Sequence, residues 1–236
     1  MRRLVISPHP DDAVWSCGGV LGRWADRGDQ ITVVTVFDGD PPAQIPASTT
    51  AAARRREDAE ALATWPVQRL SLGLPEATHR GGGGCYPGLM SRRRGIHPAD
   101  RQTVDVVAAS IVPLLASADA VLVPLAIRTH VDHVIVRAAT EGAVGHSGHR
   151  PNLTYYQEFP YLPAPGATGR LMVRTYPADF GQWLRTGLRY RSQVSAMFGG
   201  ALGFARALAR HARAGDGSWV WREWTVQSVG SFHARP

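Results

Sequence analysis

Two short clusters of histidine and aspartate contain the side chains best suited to metal-assisted chemistry. They read Ser7-Pro8-His9-Pro10-Asp11-Asp12 and Arg128-Thr129-His130-Val131-Asp132-His133. His9, Asp12 and His133 together supply two imidazoles and a carboxylate, a set that leaves a catalytic zinc ion an open position for water. Asp11 and His130 then remain beside the site as a candidate base and a candidate acid.

Each cluster taken alone also has a purely structural interpretation. Asp12 could simply cap the helix that follows it, and the segment 130–133 could be an ordinary polar loop. The metal-site interpretation is favoured because each cluster follows a predicted strand. In a parallel sheet, ligands bind outside the carboxyl ends of the strands, so the two clusters would meet at one edge although more than a hundred residues separate them.

The elements that position these clusters alternate along the chain. Apolar and β-branched runs predict strands at 4–6, 31–37, 67–72 and 120–124, and apolar residues at helical spacing predict helices at 14–27, 51–63, 103–116 and 134–143. Strand-like segments at 153–159, 171–176 and 219–226 and a helical region at about 181–214 complete the chain. This pattern predicts an α/β fold, with a Rossmann-like, mostly parallel sheet, helices on both faces and additional C-terminal strands and helices. We expect a single domain spanning 1–236.

Composition places the chain among ordinary globular proteins. It has 236 residues, of which 44% are hydrophobic and 19% charged, and two cysteines, which suit a reducing compartment. No apolar run could cross a bilayer and no signal-peptide core follows the first residues, so we expect a cytoplasmic protein without a membrane span. The net charge is +7 and all 26 basic residues are arginine. Their clusters at 54–56 and 92–94 lack interleaved aromatic residues, which favours a solvated surface over a specific nucleic-acid site.

The two motifs, in this order and on this pattern of strands, resemble those of the PIG-L/LmbE-like zinc deacetylases. Segments at 54–59, 155–161 and 190–193 are also similar, so the resemblance covers nearly the whole chain. Family members remove N-acetyl groups from glucosamine-containing molecules. This chain departs from the pattern in having Ala13 where many members have Glu, Val131 where Pro is frequent, and a loop at 73–100 without a recognisable counterpart.

The resemblance implies a role for each polar residue. His9, Asp12 and His133 would bind Zn²⁺, with Fe²⁺ or another divalent metal as alternatives, to activate water and polarise an amide carbonyl. A separate set would act around the metal, with Asp11 as general base, His130 as oxyanion stabiliser and general acid, and Asp132 orienting an imidazole. Arg54 and Arg128 are candidate substrate contacts. Arg54 could equally pair with an acidic residue four positions later on its own helix.

The expected function is hydrolysis of the amide of an N-acylated amino sugar or a related, glycan-like small molecule. Two other classes stay open. Two histidines and a carboxylate also form the metal site of non-haem iron enzymes. The positive net charge and the four consecutive glycines at 81–84 could instead serve a nucleotide- or anion-binding module. That run is not followed by Lys-Ser/Thr, as a P-loop requires. The sequence permits a homo-oligomer without indicating one.

Overall fold

A seven-stranded sheet with helices packed against it forms the protein, whose computed structural model describes residues 1–41, 50–88, 90–127, 130–146, 148–163 and 168–226. The strands are β1 (Arg2–Ser7), β2 (Gln30–Thr35), β3 (Val67–Ser71), β4 (Ala120–Pro124), β5 (Asn152–Tyr156), β6 (Leu171–Pro177) and β7 (Val220–Val226). The helices are α1 (Asp12–Asp26), α2 (Thr50–Leu62), α3 (Gln102–Leu115), α4 (Val131–His146), α5 (Phe180–Gly187), α6 (Arg191–Phe198) and α7 (Ala201–Ala212).

The strand order is β3-β2-β1-β4-β5-β7-β6. The first five strands of that order run parallel, whereas β7 pairs antiparallel with both β5 and β6. Ser7 lies beside Thr35, which in turn lies beside Ser71, so the carboxyl ends of three parallel strands are level. The predicted α/β fold with a mostly parallel sheet is confirmed, and β1 and β4, which precede the two motifs, are direct neighbours.

Two separate apolar clusters lie on the two faces of the sheet. Successive side chains of a strand point to opposite faces: Val5 packs in one cluster, while Leu4 and Ile6 pack in the other. The cluster around Val5 also contains buried residues of α1, α2, α5 and α7, and the opposite cluster contains those of α3 and α4. Helices therefore cover both faces, as predicted.

Gly18 and Gly19 allow α5 to approach α1 closely. A Cβ atom added at either position would lie 2.6 or 2.5 Å from the ring of Trp183, nearer than packed atoms can approach. The Trp183 indole N–H donates to the carbonyl oxygens of Val14 and Trp15, each at 3.0 Å. The two glycines therefore serve the packing of α5 against α1.

Some element boundaries differ from the prediction in ways that affect the site. Helix α4 begins at Val131, three residues earlier than expected, because the polar residues of its first turn hide the apolar period. Strand β5 ends at Tyr156 rather than at residue 159. The loop at 73–100 contains short 3₁₀ turns at Ala77–Gly83, Ser91–Arg93 and Pro98–Asp100.

No helix among the described residues combines the length and the apolar character that crossing a membrane requires.

Burial of His211 makes the fold sensitive to acid. The ring is 4% exposed and packs edge-on against Phe159 and Trp183, and burial, assisted by the charge of Arg222, lowers its pKa from 6.5 to about 3. The unfolded chain therefore binds a proton below pH 6.5 that the folded chain rejects. This contribution to stability is complete above that pH and is lost as the pH falls towards 3.

We predict that His211→Leu reduces the loss of stability between pH 7 and pH 5 by about 2 kcal/mol relative to the unchanged protein. Urea unfolding at the two pH values measures the difference. His146→Leu is the control because His146 is exposed and, among the described residues, its imidazole bonds the Gly142 carbonyl of its own helix. An equal pH dependence in the His211 variant and the unchanged protein would contradict the prediction.

Candidate metal centre and active site

The first motif forms a tight turn between β1 and α1. The Ser7 hydroxyl donates to the His9 carbonyl at 2.7 Å and accepts the Ala13 N–H at 3.0 Å. The Asp12 carboxylate accepts the backbone N–H of His9 at 3.0 Å. Ser7 therefore accepts the backbone N–H of Ala13 at the start of α1, at the position where many family members have Glu.

Asp11 is held in a backbone conformation that residues other than glycine rarely adopt. Its φ is 105°, and its carbonyl accepts the N–H of Trp15 at 2.8 Å as α1 begins. Such conformations cost on the order of 1–3 kcal/mol and persist where the surroundings impose them, commonly at functional sites. The only other described residue of this kind, excluding glycines, is Ala126, which follows β4 on the way to the second motif.

The second motif lies at the start of α4, next to the first. Arg128 and Thr129 lie outside the described residues, so the Arg128 substrate contact stays a prediction. Asp132 and His133 lie in the first turn of α4. The Asp132 N–H donates to Nδ1 of His130 at 3.3 Å, which leaves the His130 proton on Nε2.

The predicted ligand atoms of the two motifs converge. Asp12 Oδ2 lies 3.1 Å from His9 Nδ1 and 3.4 Å from His133 Nε2. One ligand atom from each of these three residues lies within 4.8 Å of the other two. Two imidazoles and a carboxylate at such separations form a donor set that suits a divalent ion such as zinc.

A second group of potential ligands, His9, His130 and Asp132, shares one residue with the first. Asp132 is fully buried and its oxygens are already engaged. Oδ2 lies 2.9 Å from His9 Nε2 and accepts the Ala77 N–H at 3.1 Å, and Oδ1 lies 2.6 Å from a guanidinium nitrogen of Arg80. The first group is therefore better placed to bind a metal ion.

Buried carboxylates hold the opposite edges of both candidate imidazole ligands. Asp132 contacts His9 Nε2, and Glu158 contacts His133 Nδ1 at 3.1 Å. Metal-binding histidines almost always make such a contact through the nitrogen that does not bind the metal, because it sets the tautomer and the ring orientation. The arrangement leaves His9 Nδ1 and His133 Nε2 facing Asp12.

Glu158 was not among the predicted site residues. It is 1% exposed and lies two residues beyond the end of β5, within a segment that the sequence predicted as a continuing strand. Its signal was a Gln-Glu pair immediately after a strand that ends in two tyrosines, at the same sheet edge as the two motifs.

The charges of this cluster determine its protonation. Burial lowers the pKa of His9, but hydrogen bonds to Asp12 and Asp132 outweigh burial and raise it well above its ordinary value. The pKa of His133 is likewise raised, because the effects of Asp12 and Glu158 outweigh that of burial. Burial raises the pKa of Asp12, but the two imidazoles lower it to about 2. A metal ion bound by these nitrogen atoms would compete with protons for them, so its affinity would fall as the pH falls.

His130 has the opposite protonation preference. Burial is the main cause that lowers its pKa to about 3, and the charges of His9, His133 and Arg92 lower it further. His130 is therefore a neutral imidazole near pH 7 and presents an N–H donor at Nε2.

Asp11 lies beside the metal-ligand cluster and is 6% exposed. Burial raises its pKa to about 8, against the lowering effect of the Arg54 guanidinium. Arg54 lies 3.7 Å from Asp11 Oδ2 and forms a close ion pair with Glu76. The alternative considered for Arg54, pairing with Asp58 on its own helix, is absent among the described contacts, because Asp58 instead accepts the Tyr190 hydroxyl at 2.8 Å.

Helix α2 supports the site through a second contact with α6. Glu57 accepts the backbone N–H of Ser192 at 2.9 Å and its hydroxyl at 2.6 Å. Together with the Asp58–Tyr190 bond, this contact joins the segments 54–59 and 190–193, which the sequence identified separately. Gln193, in the second of these segments, lines the cavity that contains the candidate metal ligands.

A cavity of about 260 Å³ opens beside the cluster. Its lining combines the polar groups described above with apolar side chains and two cationic ones. The lining residues are His9, Asp11, Asp12, Trp15, Arg54, Glu76, Ala77, Thr78, Arg92, His130, Asp132, His133, Phe159, Tyr161, Gln193 and Met197. All six predicted metal-binding and catalytic residues, together with Arg54, therefore share one pocket.

Comparison with known proteins identifies relatives of this chain. It is 30% identical to the 2'-N-acetylparomamine deacetylase of Streptomyces fradiae over 99% of its own length and 84% of the relative's length. It is also 30% identical to the 1D-myo-inositol 2-acetamido-2-deoxy-alpha-D-glucopyranoside deacetylase of Thermobifida fusca (strain YX), over 63% of its own length but only 50% of that relative's.

Solved structures share the fold over nearly the whole chain. The zinc-inhibited form of teicoplanin deacetylase matches with a TM-score of 0.80 at 23% identity and covers 98% of this chain and 100% of that one. The A40926 pseudoaglycone deacetylase matches with a TM-score of 0.74 at 25% identity, over 95% and 96% of the two chains. The PIG-L family profile, described as GlcNAc-PI de-N-acetylase, matches residues 4–144, a segment that begins in β1 and ends within α4 and so contains both motifs. This chain belongs to the PIG-L family.

Proposed function

We propose that this protein is a divalent-metal-dependent hydrolase that removes the acetyl group from an N-acetylated amino sugar, with zinc as the first candidate metal. The observation that carries the proposal is the convergence of His9 Nδ1, Asp12 Oδ2 and His133 Nε2. The other ring nitrogens of the two histidines contact Asp132 and Glu158, as metal-binding imidazoles usually contact carboxylates. The names of the relatives, which describe deacetylases of acetamido sugars, favour the same substrate class.

The donor set fits a catalytic ion because three protein ligands leave a position open. A divalent ion bound there would lower the pKa of the attacking water, polarise the amide carbonyl and, by its charge, lower the pKa of neighbouring Asp11. The remaining chemistry belongs to side chains around the three ligands.

Asp11 is the group we assign to accept the proton of the attacking water. It lies in the cavity, directly before the proposed ligand Asp12, and its strained backbone holds it at the start of α1. Arg54 supports this role, because its positive charge 3.7 Å away favours the ionised carboxylate that a base requires.

Neutral His130 is the group we assign to stabilise the oxyanion. Its Nδ1 accepts the Asp132 N–H, so Nε2 carries a proton that can be donated to the developing negative charge. A pKa of about 3 leaves little imidazolium near neutral pH, so the proton held by Asp11 would pass to the departing amine as the C–N bond breaks. The products are the free amino sugar and acetate.

The first prediction concerns Asp11. We expect Asp11→Asn to retain its bound metal but to release acetate at least about 100-fold more slowly, because the base is lost while the three ligands remain. Amine release from N-acetylglucosamine derivatives and elemental analysis of the same sample give the two readouts. Near-normal hydrolysis would remove Asp11 from the role of base. A wild-type protein that neither contains nor takes up a divalent metal would overturn the hydrolase proposal.

The second prediction concerns Glu158. Glu158→Gln should weaken zinc binding by about 10- to 100-fold, because the amide orients His133 without the charge that makes the imidazole a better ligand. Competition with a chromophoric chelator measures the affinity. Glu141→Gln is the matched control, since Glu141 is also a hydrogen-bonded glutamate, accepting from Tyr155 and Arg137, but contacts no imidazole among the described residues. Equal affinities of the two variants would remove the orienting role.

The third prediction concerns pH. Arg54 lowers the pKa of Asp11, so Arg54→Gln should raise it and move the acidic limb of the kcat/KM profile to higher pH by about one unit. Activity would then be lost at pH values where the unchanged enzyme still works. Arg55→Gln should leave the limb in place, because Arg55 pairs with Asp40 outside the cavity. An unchanged limb in the Arg54 variant would exclude Asp11 as the titrating base.

A further inference from the structure

Arg92 lies in the cavity although the sequence suggested a solvated surface cluster at 92–94. It belongs to the short turn Ser91–Arg93 in the loop at 73–100 and lines the pocket together with His130 and Tyr161. Arg94 is exposed, and neither it nor Arg93 lines the cavity. Three consecutive arginines therefore have different surroundings, and only the first faces the site.

The guanidinium of Arg92 has no ion-pair partner among the residues that the structure describes. Its Nε atom is buried, and the described residues provide neither a hydrogen bond to that atom nor a carboxylate in an ion pair with the side chain. Burying part of a cation without a partner is costly. An acidic group of a ligand that paired with Arg92 would therefore contribute more binding free energy than one that paired with an exposed arginine.

The acidic groups of the cavity are engaged elsewhere. Arg54, the other arginine that lines the cavity, forms ion pairs with Glu76 and Asp11. Asp12 lies between two imidazoles, and Asp132 pairs with His9 and with an arginine outside the cavity lining. Arg92 is thus the cation of the described cavity that has no protein counter-charge.

The backbone beneath Arg92 is held in place. The Ser91 hydroxyl donates to the Gly88 carbonyl at 2.6 Å, and the Arg92 N–H donates to the same oxygen at 3.3 Å. Further along the loop, Asp100 accepts the Tyr86 hydroxyl and the Arg80 Nε–H, each at 2.8 Å. The loop therefore presents the guanidinium from a defined position, which reduces the entropy lost when a ligand pairs with it.

We propose that Arg92 is a specificity-determining residue that selects amino sugars carrying an acidic group, a carboxylate or a phosphate ester, on the side of the ring that faces the loop. The planar guanidinium fork matches both groups. This inference rests on the proposed function, since it names the substrate class of the same site. A cationic substituent at that position would be repelled.

The test measures binding to the metal-loaded protein by calorimetry, with glucosamine, glucosamine 6-phosphate and muramic acid as probes. The unchanged protein should bind at least one acidic probe about 10- to 100-fold more tightly than glucosamine, the range expected for a charged hydrogen-bonded pair. Arg92→Gln should abolish that preference and Arg92→Lys should reduce it. Arg94→Gln, which removes the same net charge outside the cavity, should preserve it. The phosphate and carboxylate probes distinguish the two acidic groups.

Three outcomes would overturn the proposal: no preference for either acidic probe, a preference that survives Arg92→Gln, or an equal loss in Arg94→Gln. Arg92 Nε has no hydrogen-bond partner among the described residues and Arg94 is exposed, so thermal melting of each variant should match that of the unchanged protein. Acetate release from the N-acetylated forms of the same probes is measured in parallel. A preference that depends on Arg92 without any acetate release would support anion recognition while contradicting the proposed hydrolysis.

Discussion

A single carboxylate shared by two imidazoles is the contact around which the site is organised. Asp12 can occupy this position because it begins α1 and because the N–H of His9 fixes its carboxylate. The outer nitrogens of the two rings, those of His9 and His133, are in turn held by Asp132 and Glu158. So many buried charges are tolerable only because each has a partner, and removal of one would leave another uncompensated.

The sheet makes this convergence possible. The parallel pairing of β1 with β4, in which Val5 lies beside Leu122, brings together two loops that are distant in sequence. Each loop turns sharply through a residue with positive φ, Asp11 after β1 and Ala126 after β4. Helix α4 then begins early, so that Asp132 and its neighbour are positioned by a rigid element rather than by a mobile segment.

The long loop at 73–100 is joined electrostatically to the same cluster. Arg80 links Asp132 at the candidate metal centre with Asp100 at the far end of the loop. Tyr86 donates to the same Asp100 carboxylate. These contacts join the loop that carries Arg92 to the carboxylate that contacts His9.

The sequence by itself determined the α/β class, the alternation of elements, the two motifs and the family to which they belong. These features are local, since strand periodicity and the spacing within His9–Asp12 are visible in short windows. The proposed roles of Glu158 and Arg92 required the tertiary structure. Glu158 matters because it touches a ring on a different element, and Arg92 matters because the carboxylates around it are paired with other groups. Such pairings depend on distances between segments far apart in the chain, which no local pattern encodes.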